Sequence, residues 1–546
     1  MSEIDYADHV KRYLDEAGVR AEKVEERTFP GELWVIATVP REMLLLAQST
    51  AGALENELNA LSGEPEYPIT VTFRTPPEIT KKAEDSHRRG KLSNPAVDQL
   101  IQLLEARSRT SDALPSLKYN EDPRAGLTAI GASRHHIIYG RRGVGKTALM
   151  LEAKRISERD GHVTVWLNAH TFRQAGPAGA FLFVAEAVTT ALIKHAGSSQ
   201  SENFSRLRSL NDAIARIRKE GAPSGEAVTS ILPDLNTALR PILREELIRL
   251  FVYIDDFYLF PIADQPRLLD YITGMLRDCN GWLKLASIER LTRPFEPSSK
   301  LGIEIPHDAS KIDLDLTLED PSSTQRFLES VLSDYTIAAG LRKPSSLAGR
   351  EALGRLALAS GGVPRDYLNL FASAIVVARE NRADPQEVGK EDVSGAARRS
   401  AQSKKRDLEQ DVSSQNSEAL LTGLERLSKN VQSHGYTFFR VDIEQKSRPG
   451  YEILAQLVDL RFAHLIQASL SDQHKGGVKY EVYMLDLSEF SDVRLKRGLH
   501  VLDLESGQWS LRQTGAARSM KKLKGTQVRD ELRQSPLVDV NELVDE

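Results

Sequence analysis

An eight-residue loop, Gly140-Arg141-Arg142-Gly143-Val144-Gly145-Lys146-Thr147, narrows the possible folds of this chain more than any other segment. It fits the phosphate-binding pattern G-x-x-x-x-G-K-[ST], which requires a strand that runs into the loop and a helix that leaves it. Both flanks are present, because a largely apolar run, 136–139, precedes the loop and a helix-forming run, 148–157, follows it. A glycine-rich surface turn would explain neither the strand nor the Lys-Thr pair. The loop therefore predicts a strand–loop–helix unit that binds a nucleoside triphosphate.

Each residue type in the loop has a physical reason. Backbone N–H groups can surround a triphosphate only where no Cβ blocks their approach, which explains the glycines. We expect Lys146 to reach the β- and γ-phosphates and the Thr147 hydroxyl to join a Mg²⁺ shell. The helix that starts at Ala148 places its positive end beneath the phosphates. The predicted ligands are ATP and Mg²⁺, and the predicted nucleotide-binding residues are Gly140, Arg141, Arg142, Gly143, Val144, Gly145, Lys146, Thr147 and Ala148.

A second acidic site follows a continuous apolar run. Residues 250–254 are all apolar, as in a strand buried within a parallel sheet, and Asp255 and Asp256 come directly after them. Such sheets bind ligands beyond the carboxyl ends of their strands, so both carboxylates are expected to reach the phosphate site. Asp255 would hold Mg²⁺, directly or through water, and Asp256 would orient or deprotonate the attacking water. The alternative is that the two residues only cap a following helix.

Length and composition place the loop in a folded chain of several domains. The 546 residues correspond to roughly three to four domains. With 40% hydrophobic and 27% charged residues, the chain has the composition of a globular protein rather than a disordered one. The single cysteine, Cys279, excludes an intramolecular disulfide framework and a Cys-based zinc cluster. We expect it to be a small buried hydrophobic residue.

The sequence leads us to expect neither a secretion signal nor a membrane span. Its first five residues are acidic and lack the basic and apolar regions of a signal peptide. The longest apolar runs, 250–254 and 371–378, are far shorter than the roughly 20 residues that a membrane span needs. We therefore expect a cytoplasmic protein without membrane contact.

The segment around the loop alternates strand-like and helical patterns, which is typical of an α/β fold with a parallel sheet. The expected strands are 136–139, 163–167, 250–254 and 282–288. We assign residues 94–310 to this P-loop core and residues 311–397 to a helical lid. Within the lid, apolar residues from Tyr367 to Ala378 recur at helical spacing and predict one buried helix.

Residues 1–77 predict a small α/β adaptor domain with the order helix, strand, strand, helix, strand. This segment has no Gly-x-x-Gly loop and no aromatic RNA-binding signature, so docking of a protein effector is the favoured role. The polar stretch 78–93 contains Lys81, Lys82, Arg88 and Arg89 and is expected to be a linker. Contact of this linker with nucleic acid is the alternative to simple solvation.

A second polar stretch, 398–416, is expected to be a linker before a C-terminal domain, 417–546. The patterns predict a helix over 417–432, a strand over 437–443, a Leu-rich helix over 453–470, a turn at Gly476-Gly477 and a strand over 480–487. Helix, helix and hairpin in this order are typical of a winged-helix-like domain. Its charged tail is basic over 518–524 and acidic over 539–546.

The ligand of this C-terminal domain stays open between protein and DNA. Much of the predicted recognition helix must be buried, which leaves Arg461 and His464 as its few polar contacts. Protein docking is therefore as well supported as DNA reading. The basic clusters 398–406 and 518–524 keep DNA open through contacts with phosphates.

Together these motifs resemble the AAA+/STAND branch of P-loop ATPases, and above all the origin-recognition-type AAA+ ATPases, over about residues 95–490. The resemblance is carried by the loop 140–147, by the strand that ends in Asp255-Asp256, and by Ser360-Gly361-Gly362-Val363-Pro364-Arg365, which is similar to the Gly-x-Pro-Arg motif of the lid. It implies an ATPase core, a helical lid and a C-terminal winged helix. It also implies that Arg365 senses the γ-phosphate, whereas the alternative is an ordinary helix N-terminus with a surface arginine.

The resemblance further implies a polar sensor at the end of the strand 282–288. Ser287, Glu289 and Arg290 are the candidates, and STAND proteins often carry arginine there, which favours Arg290. Most AAA+ hydrolases place Glu where this chain has Asp256. The shorter side chain implies a slow or partner-stimulated ATPase.

Three functions are compatible with these features. The first is an ATP-hydrolysing molecular switch that couples nucleotide state to assembly, as a homo-oligomer or in a complex with a protein effector or DNA. Such a switch would serve in antiviral defence or mobile-element biology. The second is a DNA-binding replication initiator or loader, and the third is a nucleotide-binding scaffold with little turnover.

Overall fold

A computed structural model of the chain describes residues 5–29, 32–40, 43–61, 69–75, 91–108, 120–121, 123–197, 201–221, 223–245, 247–411, 414–491, 499–513 and 520–544. Some sequence predictions fall outside these described residues. They are Lys81, Lys82, Arg88 and Arg89 of the first predicted linker, the start of the basic tail at 518–519 and the end of the acidic tail at 545–546.

The N-terminal unit is a three-stranded sheet with two helices on one face. Its elements are α1 (Tyr6–Glu16), β1 (Lys23–Phe29), β2 (Glu32–Thr38), α2 (Leu44–Leu61) and β3 (Ile69–Arg74). The central strand β2 is antiparallel to β1 and parallel to β3. Alternate residues of β2, Val35 and Ala37, are buried with Leu14 of α1 and Leu54 of α2, because one face of this sheet is covered by the helices. The order of elements confirms the sequence prediction.

A parallel sheet of five strands lies at the centre of the next unit. Its elements are α3 (Pro95–Ser108), α4 (Gly126–Ile130), β4 (His135–Tyr139), α5 (Lys146–Arg159), β5 (Val163–Asn168), α6 (Gly176–Ala196), α7 (Glu202–Lys219), α8 (Gly225–Glu245), β6 (Leu250–Asp255), α9 (Gln265–Leu276), β7 (Gly281–Ser287), β8 (Phe295–Glu296), β9 (Leu301–Gly302) and β10 (Ala309–Asp313). The strand order is β10-β4-β7-β6-β5, and all neighbours are parallel. From β4 the chain crosses to the far edge and returns through β6 and β7. The topological switch point therefore lies beside β4, where α/β sheets bind ligands.

The four strands and the α/β class predicted from the sequence are confirmed. Strand β6 is buried along its whole length. Its alternate residues enter two apolar clusters, with Val252 and Ile254 in one and Phe251 and Tyr253 in the other. Both faces are covered, which explains why β6 is a continuous apolar run. Strand β10 extends the sheet beyond the predicted limit of the core at residue 310.

Helix α6 is long and apolar enough to cross a membrane by length and composition. The sequence analysis did not name this helix, although residues 180–185 form an uninterrupted apolar run that ends at Glu186. Phe181, Val184, Val188 and Leu192 of α6 are fully buried, and the helix packs against α7, α8, α9 and β5. In the structure α6 is thus a core helix. The cytoplasmic location stays a prediction.

The lid consists of four helices: α10 (Pro321–Ala338), α11 (Arg350–Ala359), α12 (Pro364–Asn381) and α13 (Lys390–Asp411). The predicted buried stripe lies on α12, where Tyr367, Phe371 and Ile375 are fully buried. Helix α3 also belongs to this layer, because Leu100 and Leu104 share the lid's apolar cluster. The domain boundary at residue 94 stays a prediction.

The N-terminal unit rests on the lid. Trp34 and Ile36 point from the face of β2 that α1 and α2 leave open. They pack against Leu103 of α3 and against Tyr335 of α10. The predicted adaptor therefore packs on two helices that contact α12, whose second residue is the proposed sensor Arg365.

Two small sheets form the C-terminal region. Its elements are α14 (Ser414–Ser433), β11 (Phe438–Asp442), α15 (Pro449–Asp459), β12 (Ala463–Ser471), β13 (Lys479–Leu485), α16 (Ser488–Ser491), β14 (His500–Glu505), β15 (Gln508–Gln513), β16 (Met520–Lys522) and α17 (Gly525–Gln534). The first sheet has the antiparallel order β11-β13-β12, and the second has the order β14-β15-β16. Apolar residues of this region and of the lid form one continuous cluster.

The predicted helix 453–470 is wrong beyond residue 459. Helix α15 ends at Asp459, the chain turns through Arg461 with φ +66°, and strand β12 follows. Both an α-helix and a buried strand accept a Leu-rich run, and no Gly or Pro marks the break. Pairing with β13 selects the strand, because Ala463 and Ile466 are then buried.

The second predicted linker, 398–416, is largely helical. Helix α13 runs through its basic cluster up to Asp411. Ala397 and Ala401 are buried, whereas Arg399 and Arg406 are exposed. Only part of the charge run therefore faces solvent, because Lys404 lines a cavity together with Asp366 and Asp486. The boundary between lid and C-terminal domain stays a prediction.

Candidate nucleotide-binding site

The loop 140–147 leaves the carboxyl end of β4 and enters α5, as predicted. Gly143 and Gly145 have φ +85° and +108°, a region that favours glycine. Gly143 also lies under the lid, because a Cβ at this position would be 2.8 Å from Cβ of Arg365. Val144 is buried with Ile138 of β4 in the apolar cluster beneath the loop. The glycines of the motif thus allow the left-handed backbone of the loop, and Val144 anchors the loop in the apolar core.

Lys146 is buried at the start of α5. Its Nζ donates to the carbonyl oxygens of Gly140, at 2.7 Å, and of Arg141, at 3.0 Å. Burial lowers the pKa of Lys146, and the charges of Asp255 and Asp315 oppose that shift. The ammonium group is therefore held within the loop, where it can reach a phosphate bound by the backbone.

Thr147 and the two aspartates lie together at the end of β6. The Thr147 hydroxyl donates to Asp255 Oδ2 at 2.7 Å, and the backbone N–H of Asp256 donates to Asp255 Oδ1 at 2.9 Å. Burial, followed by the charge of Asp256, raises the pKa of Asp255 to about 6. Asp256 is partly exposed and has φ +52°. Two adjacent carboxylates thus have different environments.

Two further residues contact Asp256 and were missed by sequence analysis. Asn168 ends β5, is paired in register with Asp255, and donates from Nδ2 to Asp256 Oδ2 at 3.2 Å. The Tyr258 hydroxyl also hydrogen-bonds Asp256, and burial raises the pKa of Tyr258. The guanidinium of Arg142 lies 5.3 Å from the centre of the Tyr258 ring. The signal for Asn168 was its position directly after a predicted strand.

Arg365 lies beside the loop, as the lid motif predicts. Its backbone N–H donates to the Gly143 carbonyl at 3.3 Å. Its charge is close enough to lower the pKa of Lys146, although burial is the larger cause. Pro364 is the first residue of α12, where the missing N–H of proline is tolerated. The γ-phosphate role of Arg365 stays a prediction.

Arg141 holds the loop to the start of the lid. Its Nε donates to Asp315 Oδ1 at 3.0 Å, and its backbone N–H donates to the same oxygen at 3.0 Å. Its Nη2 donates to the carbonyl oxygens of Leu316 and Gly361 at 3.2 and 3.1 Å. The guanidinium is thus engaged by the chain between β10 and α12. That Arg141 contacts the nucleotide stays a prediction, and it now concerns the backbone of this residue rather than its side chain.

Arg290 follows β7 but is engaged by the C-terminal region. Its guanidinium forms an ion pair with Glu452, and its Nη2 lies 2.8 Å from Asp459 Oδ2. Both carboxylates belong to α15. The structure does not bring Arg290 together with the loop through any contact among the described residues, and its sensor role stays a prediction.

The other two sensor candidates lie at different places. Ser287 ends β7, is paired with Tyr139 in the register of β4, and its Oγ is 2.6 Å from Thr292 Oγ1. Glu289 forms an ion pair with Lys311 of β10. Of the three candidates, Ser287 is therefore the one that is paired directly with the last residue of β4, the strand that leads into the loop.

Arg461 and His464 do not lie on an exposed helix. The His464 ring is on β12 and 1% exposed, and its Nε2 is 2.9 Å from Asp486 Oδ2. Arg461 Nη2 donates to the Arg142 carbonyl at 2.7 Å, and its guanidinium forms an ion pair with Asp366. Arg461 therefore belongs to the surroundings of the loop rather than to a DNA-reading surface.

The residues present fit a magnesium-bound nucleotide. Oxygen ligands suit Mg²⁺, and the Thr147 hydroxyl and the Asp255 carboxylate already lie within hydrogen-bond distance of each other. Helix α5 presents the free N–H groups of its first turn at the same point. Cys279 lies elsewhere, partly buried with its Sγ 3.6 Å from Asn236 Nδ2, and burial raises the pKa of its thiol to about 11.

No protein-family model matches the sequence, and no curated protein sequence matches it either. Among the solved structures that are similar to this chain are two origin-recognition proteins. One is the ORC1 protein of Aeropyrum pernix in complex with DNA, with 17% identity, a TM-score of 0.34, and 69% of this chain and 90% of that chain covered. The other is the Drosophila ORC bound to DNA, with 12% identity, a TM-score of 0.28, and 64% and 86% covered. Both TM-scores are low, so these likenesses by themselves assign no role to the chain.

Proposed function

We propose that this chain binds ATP with Mg²⁺ at the loop 140–147 and hydrolyses it as a molecular switch. The observation that carries the proposal is the 2.7 Å hydrogen bond between Thr147 and Asp255, two residues more than a hundred positions apart. The bond joins the loop after β4 to the end of β6, across the intervening strand β7. The loop and the carboxylate that we propose for the metal ion thus lie together at the carboxyl ends of the strands, which supports the proposal.

Each residue of the proposed site has a role. Backbone N–H groups of the loop and the Lys146 ammonium bind the β- and γ-phosphates, and Thr147 with Asp255 holds the metal ion. Mg²⁺, when bound, neutralises charge that develops on the phosphates. Asp256 orients the attacking water and accepts its proton, and Asn168 holds the Asp256 carboxylate in place.

The switch property is proposed from the position of the lid. The backbone of Arg365 bonds to Gly143, so a change in the loop reaches the first turn of α12 directly. A scaffold that binds nucleotide without turnover would need no partner for Asp256. The hydrogen bond from Asn168 to Asp256 therefore favours hydrolysis over the scaffold.

Two substitutions in the full-length chain test this function. Lys146→Ala should abolish binding of ATP measured by calorimetry. In the pattern G-x-x-x-x-G-K-[ST], the lysine is the side chain whose positive charge binds the phosphates. Asp256→Asn should keep binding within about threefold and reduce phosphate release by a factor on the order of 100. Unchanged phosphate release in the Asp256 variant would refute its assigned role, and unchanged binding in the Lys146 variant would refute the site.

DNA contact by the C-terminal region is a second candidate function. The order of α14, β11, α15, β12 and β13, with the sheet order β11-β13-β12, supports a winged-helix-like domain. One observation favours DNA, namely that Lys475 and Lys479 are exposed at the β12–β13 hairpin. A protein effector at the N-terminal unit, oligomeric assembly and a role in antiviral defence stay predictions.

A further inference from the structure

Arg461 occupies a position where glycine is the usual residue. It follows α15, whose end has the hydrogen bonds of a Schellman motif: Arg461 N–H to the Val458 carbonyl at 3.0 Å, and Phe462 N–H to the Leu457 carbonyl at 2.9 Å. The residue at this point of the motif is left-handed, and Arg461 has φ +66°. A side chain is disfavoured in this conformation. Residues in such conformations persist where the surrounding contacts over-determine them, and they cluster at functional sites.

The contacts of the Arg461 side chain join three parts of the molecule. Nη2 donates to the carbonyl of Arg142 in the loop at 2.7 Å. The guanidinium also forms an ion pair with Asp366, the residue after Arg365 on α12. The Arg461 side chain is 14% exposed and that of Asp366 is 13% exposed, so water screens this ion pair little.

The bond to the Arg142 carbonyl has a consequence for the next amide. In a trans peptide unit the C=O and the N–H point in opposite directions. A carbonyl of Arg142 that is held toward Arg461 therefore directs the N–H of Gly143 away from the C-terminal region. The Arg365 backbone does the same for the following unit, because it holds the carbonyl of Gly143. Two successive amides of the loop are thus fixed from outside, one by the C-terminal region and one by the lid.

We propose that Arg461 is a positioning residue of the nucleotide site, through which the C-terminal region completes the phosphate-binding geometry of the loop. This inference rests on the proposed function, because it assumes that the loop 140–147 binds nucleotide. Arg461 acts through the Arg142 carbonyl and does not itself contact the phosphates. By linkage, nucleotide binding strengthens the docking of the C-terminal region by the same free energy that docking adds to nucleotide binding.

The conformation of Arg461 supplies an unusual test. Arg461→Gly removes the guanidinium while it relieves the left-handed backbone, so the end of α15 keeps its geometry. Ser506→Gly is a matched control, since Ser506 is exposed, lies in the β14–β15 turn and has φ +52°. The measurement is titration of full-length protein with fluorescent ADP and ATP analogues in the presence of Mg²⁺. Thermal unfolding of the nucleotide-free proteins reports their folding.

The expected result is a weakening of both nucleotides by on the order of tenfold in Arg461→Gly, and no change in Ser506→Gly. In steady-state hydrolysis the loss should appear in KM, with kcat within about twofold of wild type, because Asp256 and Thr147 are untouched. Arg461→Lys keeps the left-handed backbone and one cation, but a single ammonium lacks the planar fork that holds both partners. Its affinity should lie between those of the wild type and the glycine variant.

The possible outcomes distinguish a failure of the role proposed for Arg461 from a failure of the nucleotide site itself. Wild-type affinity in Arg461→Gly overturns the inference and leaves the nucleotide site intact. If Arg461→Gly does not fold, wild-type affinity in Arg461→Lys overturns it instead. Failure of the wild-type chain to bind either nucleotide, or equal binding by Lys146→Ala, would remove the proposed function itself.

Discussion

At the scale of single residues, the neighbouring carboxylates of Asp255 and Asp256 differ in burial and in hydrogen-bond partners. Asp255 is 2% exposed and accepts hydrogen bonds from Thr147 and from a backbone N–H. Asp256 is partly exposed and is held by Asn168. A buried carboxylate with fixed donors suits a metal ion, whereas a more exposed one can exchange a proton with water. The alternative that both residues only cap a helix finds no support, because neither side chain caps the short helix Phe257–Leu259 that follows.

Asp255→Asn is expected to remove the Mg²⁺-dependent part of nucleotide affinity and to stabilise the nucleotide-free protein. Because the folded-state pKa of Asp255 is raised from 3.8 to about 6, ionisation opposes folding. The destabilisation of the folded protein by Asp255 is absent below the unfolded-state pKa of this group and fully present above about pH 6. A shift of this size corresponds to roughly 3 kcal/mol at neutral pH. Urea unfolding at pH 7.5 should therefore show a gain of about 1–3 kcal/mol.

The pH dependence of binding gives the matching control. Wild-type affinity for the magnesium nucleotide should fall as the pH drops from 7 to about 5, since protonation of Asp255 removes a ligand charge. The Asp255→Asn variant should lack that part of the pH dependence. A variant that is less stable than wild type, with unchanged Mg²⁺-dependent affinity, would contradict the assignment.

The residues of the site that the sequence predicted belong to a short motif or directly follow a predicted strand. Lys146 and Thr147 follow from the motif, and Asp255 follows from the buried strand before it. Asn168 and Arg461 could not be placed, because they depend on which strand ends beside β6 and which end of α15 faces the loop. Such long-range neighbours are set by topology, for which the spacing of one segment carries no information.

At the scale of elements, the region 453–470 shows where pattern and structure separate. Its apolar residues suit a helix, and α15 does form over Pro449–Asp459. The remainder becomes β12, because β13 offers backbone partners and α15 already covers the adjacent core. The break falls at Arg461, whose left-handed conformation no turn residue announces. A functional contact at that position explains why glycine, the usual signal, is absent.

The close packing of α11 on β14 gives an element-scale prediction. A Cβ added to Gly354 of α11 would lie 2.0 Å from the carbonyl oxygen of Leu504, which is backbone and cannot swing away. Gly354→Ala should therefore lower the free energy of unfolding by about 2–3 kcal/mol or more, since the helix must separate from the strand. Chemical denaturation of the full-length chain measures the change.

Gly52→Ala is the control for this substitution. Gly52 lies within α2, and a Cβ there would meet nothing within 4 Å. Alanine in a helix interior should stabilise the N-terminal unit by roughly 0.5–1 kcal/mol. If Gly354→Ala behaved like this control, α11 and β14 would not be packed as described.

At the scale of the whole molecule, the charges are arranged so that α15 faces the core. The net charge is -5, with 72 basic and 77 acidic residues, so any nucleic-acid surface must be local. Glu452 and Asp459 of α15 are paired with Arg290, and a DNA phosphate would be repelled by these carboxylates. The β12–β13 hairpin has the opposite character, because Lys475 and Lys479 are exposed there.

DNA binding, if it occurs with the C-terminal region docked, should therefore use the hairpin. The double variant Lys475→Glu and Lys479→Glu is expected to weaken duplex DNA binding by at least tenfold, uniformly across sequences, because phosphate contacts carry no sequence information. The slope of log affinity against log salt concentration should fall in magnitude by about 2, since two phosphate contacts are lost. Fluorescence anisotropy over roughly 50 to 200 mM salt measures both quantities.

A second double variant carries the same change of charge at another exposed place. Arg342→Glu with Lys343→Glu lies between α10 and α11 and should leave DNA affinity within about twofold of wild type once the shared change in net charge is screened by salt. Equal losses in the two double variants would mean that net charge, rather than the hairpin, governs binding. Weak wild-type binding that is flat with salt would dismiss DNA as a partner of this region.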